Sequence, residues 1–216
     1  MCADLKSAVV DVARAMSNEG LVIGSAGNVS ARAAGNNAMY ITPTRVAYPD
    51  LTPEDIVTVT FEGDPIEGEG LPSSESLMHG AVYAARPDVR AVVHAHPVHA
   101  SAMAVRREAI PTFVDEQVVY VGGAVEVSPY APAASEELAE NAVAALGERR
   151  AVLLANHGTL AVGQDPADAL ETTRLTERLA QIWLLASARP GAQHLPRGIV
   201  EAEIELYRML QNEGGV

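Results

Sequence analysis

Three histidines stand at the ends of apolar runs, where side chains of adjacent strands can converge. His94 and His96 close the run 91–96, and His157 comes shortly after a second apolar run, 151–155. Side chains at positions i and i+2 project from the same face of a strand, so His94 and His96 can direct two imidazoles to one point. Three imidazoles with one open coordination position are typical of a catalytic divalent metal, most often zinc. The spacing therefore predicts a metal centre; the competing interpretation is three ordinary buried histidines held by hydrogen bonds.

The remaining histidines fit a ligand role less well. His79 falls on a predicted helix, His99 is out of phase with the H-x-H pair, and His194 lies in a loop. We expect each of them to be structural or solvated.

Polar segments upstream of the histidines could bind an anion. Ser73 and Ser74 come at the start of a predicted helix, where hydroxyls and free N–H groups suit a phosphate, and Glu75 falls in its first turn. The small-residue loop 24–28 lets backbone amides approach a ligand closely, and the turn 42–44 adds hydroxyls. Taken alone, Ser73, Ser74 and Glu75 are better explained as a plain helix cap, and the other two segments as ordinary turns. Together the three segments offer hydroxyls and amides for a phosphate beside a metal.

Composition and charge narrow the class of protein. The 216 residues suit one domain, and 48% of them are apolar, enough for a sizeable core. A formal net charge of −13 argues against binding nucleic acid or anionic membranes. Cys2 is the only cysteine, which excludes a disulfide framework and a thiolate metal site. The sequence shows neither a signal-peptide pattern nor a run of about 20 apolar residues, so the expected location is the cytoplasm.

Hydrophobic periodicity and capping residues predict helices that alternate with short strands. Helices are expected at 5–19, from 74 to just before Pro87, and at 97–106, 135–147, 166–188 and 199–211. Strands are expected at 29–32, 39–41, 57–61, 91–96, 151–154 and 159–162. This alternation, without a linker or repeat, predicts a single α/β domain in which helices cover a sheet.

Five segments, in this order, resemble the class II aldolase/adducin family, and in particular its L-fuculose-1-phosphate aldolase branch. They are GSAGNVS (24–30), ITPT (41–44), PSSE (72–75), VVHAH (92–96) and NHG (156–158). The resemblance runs from about residue 5 to residue 185. It implies a three-layer α/β fold with a central sheet flanked by helices on both faces. It also implies a cyclic homotetramer with active sites between subunits.

The resemblance further implies an activity and a set of site residues. The activity is that of a zinc-dependent aldolase, with one Zn²⁺ per subunit, that reversibly cleaves a ketose 1-phosphate. The substrate would be L-fuculose 1-phosphate or a related 5-deoxy-pentulose 1-phosphate, and the products dihydroxyacetone phosphate and a small aldehyde. The family's metal ligands fall on His94, His96, His157 and Glu75, the last of which is also its catalytic acid/base. Its phosphate-binding positions fall on Gly27, Asn28, Thr44, Ser73 and Ser74.

Two positions depart from the pattern of this branch. A second acid/base is needed at the substrate's C4 hydroxyl, where the fuculose-type enzymes have a tyrosine; the matching stretch here, 112–117, offers Glu116 instead. Tyr207 in the last helix, which could reach a neighbouring active site, and Tyr120 are the alternatives, and both could equally be packing residues. Arg45 stands where the family pattern usually has glycine.

Three other functions share this scaffold. The sequence also resembles pentulose-phosphate 4-epimerases and methylthioribulose-1-phosphate dehydratases, which use the same metal site. A third alternative is a non-catalytic adducin-like interaction module. The intact histidines and Glu75 argue against the last, because a binding module needs no open metal site.

Overall fold

A single eight-stranded sheet forms the centre of the protein. The computed structural model describes residues 5–34 and 37–212, so Cys2 lies outside the described residues. The strand order is β4-β3-β2-β1-β5-β8-β7-β6, and every neighbouring pair is antiparallel except β6 and β7, which are parallel. The strands are β1 Asn28–Arg32, β2 Ala38–Ile41, β3 Val57–Thr60, β4 Pro65–Glu67, β5 Ala91–Ala95, β6 Val127–Ser128, β7 Ala151–Leu154 and β8 Gly158–Gly163.

Helices cover both faces of this sheet, which confirms the three-layer α/β fold. They are α1 Leu5–Asn18, α2 Ser76–Ala85, α3 Val98–Arg106, α4 Asp115–Val121, α5 Glu136–Leu146, α6 Pro166–Ser187 and α7 Arg197–Asn212. Helices α2 and α5 pack on one face with β-strand residues such as Val92 and Leu160. Helices α1, α3 and α6 pack on the other, against residues such as Val93 and Leu153. The division follows from strand alternation, since Val92 and Val93 point to opposite faces.

The predicted helices and the structural ones agree closely where amphipathic periodicity is strong. Two helix starts were wrong by two residues: α2 begins at Ser76 rather than Ser74, with Glu75 as its capping residue, and α7 begins at Arg197 rather than Ile199. The stretch after Thr52 forms a short 3₁₀ helix, Pro53–Asp55.

Three short elements were missed from the sequence: β4, β6 and α4. Helix α4 has the sequence DEQVVYV, which is rich in β-branched residues and reads as a strand. The available signal was at its ends, with Asp115 and Glu116 in the first turn and Gly122, at φ +91°, directly after the last residue. This helix carries the predicted acid Glu116.

A continuous sheet agrees with a single domain. That this domain spans residues 1–216 stays a prediction. None of the helices in the described ranges 5–34 and 37–212 is long and apolar enough to cross a membrane. The expected cytoplasmic location likewise stays a prediction.

Candidate metal centre

The three predicted ligand histidines converge at one end of the central strands. His94 is the penultimate residue of β5, and His96 follows directly after that strand. His157 lies in the tight turn between β7 and β8, next to β5 in the sheet. One ring nitrogen from each histidine lies within 4.8 Å of the other two, and the ring centroids are 4.7 to 5.0 Å apart. The structure therefore brings together the imidazoles that the sequence separates by about sixty residues.

The carboxylate of Glu75 closes the cluster from the opposite side. Its Oε2 lies 3.0 Å from Nε2 of His94, and its Oε1 lies 3.4 Å from Nε2 of His157. Asn28, which pairs with His94 across β1 and β5, donates its Nδ2–H to Oε2 at 3.0 Å. Three imidazoles and one carboxylate are a donor set that suits a divalent metal such as zinc.

The hydrogen bonds of His94 require a positive charge beside its Nε2. That charge is either a bound cation or a second proton on the ring. Its Nδ1 lies 2.9 Å from the carbonyl oxygen of Thr159 and donates to it. In the neutral ring, Nε2 then presents a lone pair to Glu75 and to Nε2 of His96, which is 2.9 Å away. A lone pair that faces a carboxylate oxygen is unfavourable unless a cation lies between them. A ring whose other nitrogen donates to a backbone carbonyl is the usual arrangement of a metal-binding histidine.

The pKa values favour the ligand forms of these side chains. Burial, together with the charge of His94, lowers the pKa of His96 to about 4 and also lowers the pKa of His157. Burial alone would raise the pKa of Glu75, but His94, His157 and Asn28 hold it well below its usual value. At neutral pH, His96 and His157 are therefore neutral and Glu75 is ionised, the states in which they can bind a metal.

Close backbone approaches fix where the ligands stand. A Cβ on Gly158 would lie 2.4 Å from the carbonyl oxygen of Ala95 and 2.5 Å from Cδ2 of His96. A Cβ on Gly27, whose φ is +74°, would lie 2.5 Å from the carbonyl oxygen of His94. Only glycine allows the strands β1 and β8 to approach the end of β5 this closely.

A neighbouring turn holds the His157 loop. Asn156 has φ +55°, a left-handed conformation that asparagine tolerates, and its N–H donates to the carbonyl of Ala104. Its side-chain oxygen accepts a hydrogen bond of 2.9 Å from Nε of Arg107. Sequence reasoning did not find Arg107 or the Thr159 carbonyl, because neither a loop arginine nor a backbone acceptor carries a recognisable pattern.

The predicted phosphate-binding residues gather around Glu75. Ser73 Oγ accepts a hydrogen bond from the backbone N–H of Glu75, and Gly27 directly precedes Asn28. The segments 42–44 and 71–73 are paired through two backbone hydrogen bonds, which places Thr44 beside the start of α2. Ser74 is exposed at the same helix start. These five residues thus lie on adjoining segments, and their binding of phosphate stays a prediction.

Arg45, next to Thr44, explains the family preference for glycine at its position. Its φ is +66°, in the left-handed region that glycine adopts without cost. For a residue with a Cβ this conformation costs about 1 to 2 kcal/mol. Arg45 is exposed, so the side chain is available at the rim of these loops.

The candidates for the second acid/base lie elsewhere. Glu116 is exposed in the first turn of α4, and no hydrogen bond or ion pair of the described residues connects it to the histidines. Tyr207 is only 3% exposed, packs against Gly122 and donates its hydroxyl proton to the carbonyl of Glu148, next to the amino-terminal end of β7. The histidines lie at the carboxyl end of that strand. Within this chain Tyr207 therefore serves packing, and a role in a neighbouring site stays a prediction. Tyr120 is half exposed on α4.

The remaining histidines have structural partners, as expected. Nδ1 of His99 contacts Glu177 at 2.6 Å, and the ring of His194 packs 5.1 Å from that of Trp183. His79 is completely buried on α2, where its Nδ1 forms a hydrogen bond of 2.7 Å with the hydroxyl of Ser30.

Comparison with known proteins gives this geometry its family. Residues 7–184 match the family described as the Class II Aldolase and Adducin N-terminal domain. The chain belongs to the class II aldolase/adducin family. Like the named aldolases among its relatives, it is a class II aldolase, a carbon–carbon lyase. The three-histidine cluster agrees with the metal dependence of this family.

Relatives of this class II aldolase fall under more than one name. The L-fuculose phosphate aldolase of Escherichia coli (strain K12) is 38% identical over 180 residues, 83% of this chain and 82% of that protein. The 5-methylthioribulose-1-phosphate/5-deoxyribulose-1-phosphate aldolase of Rhodospirillum rubrum is 36% identical over 206 residues, 94% of this chain and 91% of that protein. A solved L-fuculose 1-phosphate aldolase superposes with a TM-score of 0.90 at 34% identity, covering 96% of this chain and 98% of that one.

Proposed function

We propose that this class II aldolase is zinc-dependent and reversibly cleaves a ketose 1-phosphate to dihydroxyacetone phosphate and a small aldehyde. The observation that carries the proposal is the Glu75 carboxylate in contact with His94 and His157. Glu75 can thus both bind a metal and carry a proton. It lies at the start of α2, which suits a phosphate. The names of the relatives support substrates such as L-fuculose 1-phosphate or a 5-deoxy- or 5-methylthio-pentulose 1-phosphate.

The histidines and Glu75 are the residues that would hold the metal. When bound, a divalent cation supplies a Lewis acid for the negative charge that develops on the dihydroxyacetone half of the substrate. His94, His96 and His157 would hold that cation in place through their ring nitrogens. Zinc, one ion per subunit, is the metal we propose from the nitrogen-rich donor set.

Each proton in the cleavage has an assigned carrier. The C3–C4 bond breaks as a base removes the proton of the C4 hydroxyl, so that C4 becomes the aldehyde carbon. The electron pair of the broken bond stays on the C3 side. Glu75, which is ionised in the free site, takes up a proton from solvent in the substrate complex and delivers it to C3, while the proton removed from the C4 hydroxyl returns to solvent. We assign the base at the C4 hydroxyl to Glu116. In the condensation direction the same two groups exchange roles.

The phosphate does not react; it positions the substrate. We propose that it is bound by the segments that meet at the start of α2, with Gly27, Asn28, Thr44, Ser73 and Ser74. Backbone N–H groups and hydroxyls suffice for this task, because the phosphate needs only to be bound and positioned.

A homotetramer with active sites between subunits is part of the proposal. Glu116 is exposed, and no described contact joins it to the histidines of its own chain. In the proposed tetramer it would meet the substrate in the active site of a neighbouring subunit. Three exposed apolar residues support a covered site: Ile23 beside the glycine loop, Leu71 before Ser73, and Val98 after His96. Clusters of exposed large apolar side chains favour association.

The decisive experiment incubates the zinc-loaded protein with dihydroxyacetone phosphate and a panel of aldehydes. Lactaldehyde, glycolaldehyde, acetaldehyde and methylthioacetaldehyde cover the proposed substrate range, and formation of a ketose 1-phosphate is measured. Product with at least one aldehyde is expected, and protein stripped with a chelator serves as the control. If no aldehyde reacts, the panel is repeated with pentulose 5-phosphates and methylthioribulose 1-phosphate. Epimerisation or loss of water there would contradict the aldolase, and full activity of the chelator-stripped protein would contradict its dependence on zinc.

A further inference from the structure

A line of buried polar contacts joins helix α2 to strand β1. Glu75, His79 and Tyr83 follow one another at four-residue intervals and share a face of α2 and its cap, while Asn28, Ser30 and Arg32 share a face of β1. We call these six residues the polar seam. Apart from Glu75 and Asn28, no residue of the polar seam is needed for the proposed reaction. All six residues lie in the layer between the sheet and α2.

Short hydrogen bonds connect the residues of the polar seam. Asn28 Nδ2 donates to Glu75 Oε2 at 3.0 Å, and Ser30 Oγ lies 2.7 Å from His79 Nδ1 and 2.8 Å from the hydroxyl of Tyr83. Nη2 of Arg32 donates to the carbonyl oxygen of Tyr83 at 2.7 Å. The side chains of Ser30 and His79 are fully buried, so these hydrogen bonds do not compete with solvent.

The protons of the seam can be placed by counting donors and acceptors. If Tyr83 donates to Ser30 and Ser30 donates to Nδ1 of His79, both hydroxyl protons are used and the imidazole carries its proton on Nε2. The reverse order leaves the buried Tyr83 proton without a use and Nε2 as a bare lone pair, two unsatisfied groups instead of one. Burial also lowers the pKa of His79 to about 3, so the ring is neutral. The first order is therefore the stable one.

This order leaves an unused donor on His79 in the same buried layer as an unused acceptor on Asn28. Nε2 of His79 is buried without a hydrogen-bond partner, and so is Oδ1 of Asn28. Oε1 of Glu75 also accepts no hydrogen bond, but it faces Nε2 of His157 at 3.4 Å. The negative charge of Glu75 is close enough to His79 to influence its pKa. The buried donor on His79 and the buried acceptor on Asn28 can both be satisfied through one shared water.

We propose that His79 is a positioning residue for Glu75. Ser30 and Tyr83 fix the tautomer in which Nε2 of His79 is the donor, and this N–H orients the Glu75–Asn28 pair toward the three metal-binding histidines. The inference rests on the proposed role of Glu75. It explains why a neutral histidine lies in a layer that apolar side chains could fill.

The test compares three variants of the zinc-loaded protein with a matched control. His79→Leu keeps the approximate volume and removes both nitrogens, His79→Gln keeps a donor near the position of Nε2, and Tyr83→Phe removes the hydroxyl at the start of the chain. Thr176→Val is the control, because it deletes a buried hydroxyl whose hydrogen bond stays within α6. The dissociation constant for zinc is measured by chelator competition, and solvent deuterium incorporation into dihydroxyacetone phosphate reports proton transfer at carbon.

We expect His79→Leu to weaken zinc binding roughly tenfold, the usual effect of losing a partner of a metal ligand. Deuterium incorporation at saturating dihydroxyacetone phosphate should slow by a similar factor, with KM within about twofold. His79→Gln should recover zinc affinity to within about threefold, and Thr176→Val should leave both measurements unchanged. Equal losses in the Leu and Gln variants would show that shape rather than the donor matters, and would overturn the proposal.

Two further outcomes are decided in advance. If His79→Leu does not fold, Tyr83→Phe decides: zinc affinity reduced about threefold supports the proposal, and unchanged affinity overturns it. If the parent protein shows no deuterium incorporation but its zinc affinity depends on the His79 donor, the proposed aldolase function fails while the positioning role stands.

Discussion

At the scale of residues, His94 is the side chain on which the centre depends. Its Nδ1 is held by the Thr159 carbonyl, and its Nε2 faces Glu75 and His96. The ring is completely buried, so its orientation is set by the sheet and not by solvent. His96 and His157 are partly exposed and complete the group from the open side.

Replacing a ligand histidine should remove metal and activity together. We expect His157→Ala, and likewise His94→Ala, to weaken zinc binding by roughly 100-fold or more and to abolish turnover, because two imidazoles and a carboxylate leave the ion incompletely bound. Metal content after dialysis and the rate of aldol cleavage check this. His194→Ala, which alters an exposed ring packed on Trp183, is the matched control. A metal-free His157→Ala protein with full activity would contradict the proposed metal centre.

Replacing the proposed second acid/base should separate chemistry from metal binding. Glu116→Gln is expected to lower kcat by roughly 10² to 10⁴, the usual contribution of a general acid/base, with zinc content unchanged. Glu137→Gln offers a close control, since Glu137 is also the second residue of an exposed helix start. An unaltered kcat would remove Glu116 from the mechanism and return attention to Tyr207 and Tyr120.

The buried His79 should make the metal-free protein sensitive to acid. The unfolded chain binds a proton on this histidine near pH 6.5, but the folded protein does so only near pH 3. Between these values the unfolded state holds more protons, so the free energy of unfolding falls as the pH falls, by about 1.4 kcal/mol per pH unit from this group. Urea unfolding at pH 7, 6 and 5 measures the slope. His79→Gln should show a shallower slope than the parent protein; identical slopes would contradict the assignment.

At the scale of elements, the site exists because strand ends meet. Strands β1, β5 and β8 are neighbours, and their register sets Asn28 opposite His94 and Thr159 opposite Ala95. Helix α2 begins at the same end and delivers Glu75. Single elements supply single ligands, and the pairing of the strands supplies the geometry.

A substitution that spaces two strands apart should therefore damage the site without altering a ligand. Gly158→Ala would bring a Cβ within 2.5 Å of both the Ala95 carbonyl and the His96 ring, so β5 and β8 must separate. We expect zinc affinity to fall at least tenfold and stability to fall by about 1 to 3 kcal/mol, the usual cost of overpacking. Gly198→Ala, on α7 with no atom within 4 Å of the added Cβ, is the control and should be neutral or stabilising. Unchanged zinc binding in Gly158→Ala would contradict the close approach.

At the scale of the whole molecule, the net charge works against the substrate. The chain carries 15 basic and 28 acidic residues, a formal charge of −13, and a sugar phosphate is an anion. The phosphate must then be attracted by local N–H groups and the metal rather than by the overall field. Such local attraction is short-ranged, whereas the repulsion extends over a Debye length.

Salt should accordingly favour the encounter with substrate. Raising sodium chloride from about 10 to 150 mM should increase kcat/KM for a ketose 1-phosphate roughly twofold, because long-range repulsion is screened. kcat at saturating substrate should stay constant and serves as the internal control. A decrease of kcat/KM with salt would indicate that a locally positive field, for example around Arg45, governs the approach instead.

The sequence by itself predicted the donors, six of the seven α-helices of the described residues, and the family. Imidazoles at an H-x-H spacing, amphipathic helices such as α1 and α6, and the ordered motifs are local patterns, and local patterns are visible in a linear chain. It could not reveal α4, whose β-branched residues contradict its helical state and which is stabilised by packing on α6 and α7. Nor could it reveal the seam from Ser30 to His79 or the burial of Tyr207 far from the histidines of its own chain.

Only the tertiary structure decided which of the polar residues meet. Glu75 reaches His94 and Asn28 because α2 lies across β1 at one particular register, and His157 reaches them because β7 and β8 turn beside the end of β5. Register and strand order are set by the packing of the two buried faces of the sheet, which involves residues distant in sequence. The proposed metal centre, with four side chains from three segments, would therefore be a property of that packing, while the chemistry of each side chain is a property of the sequence.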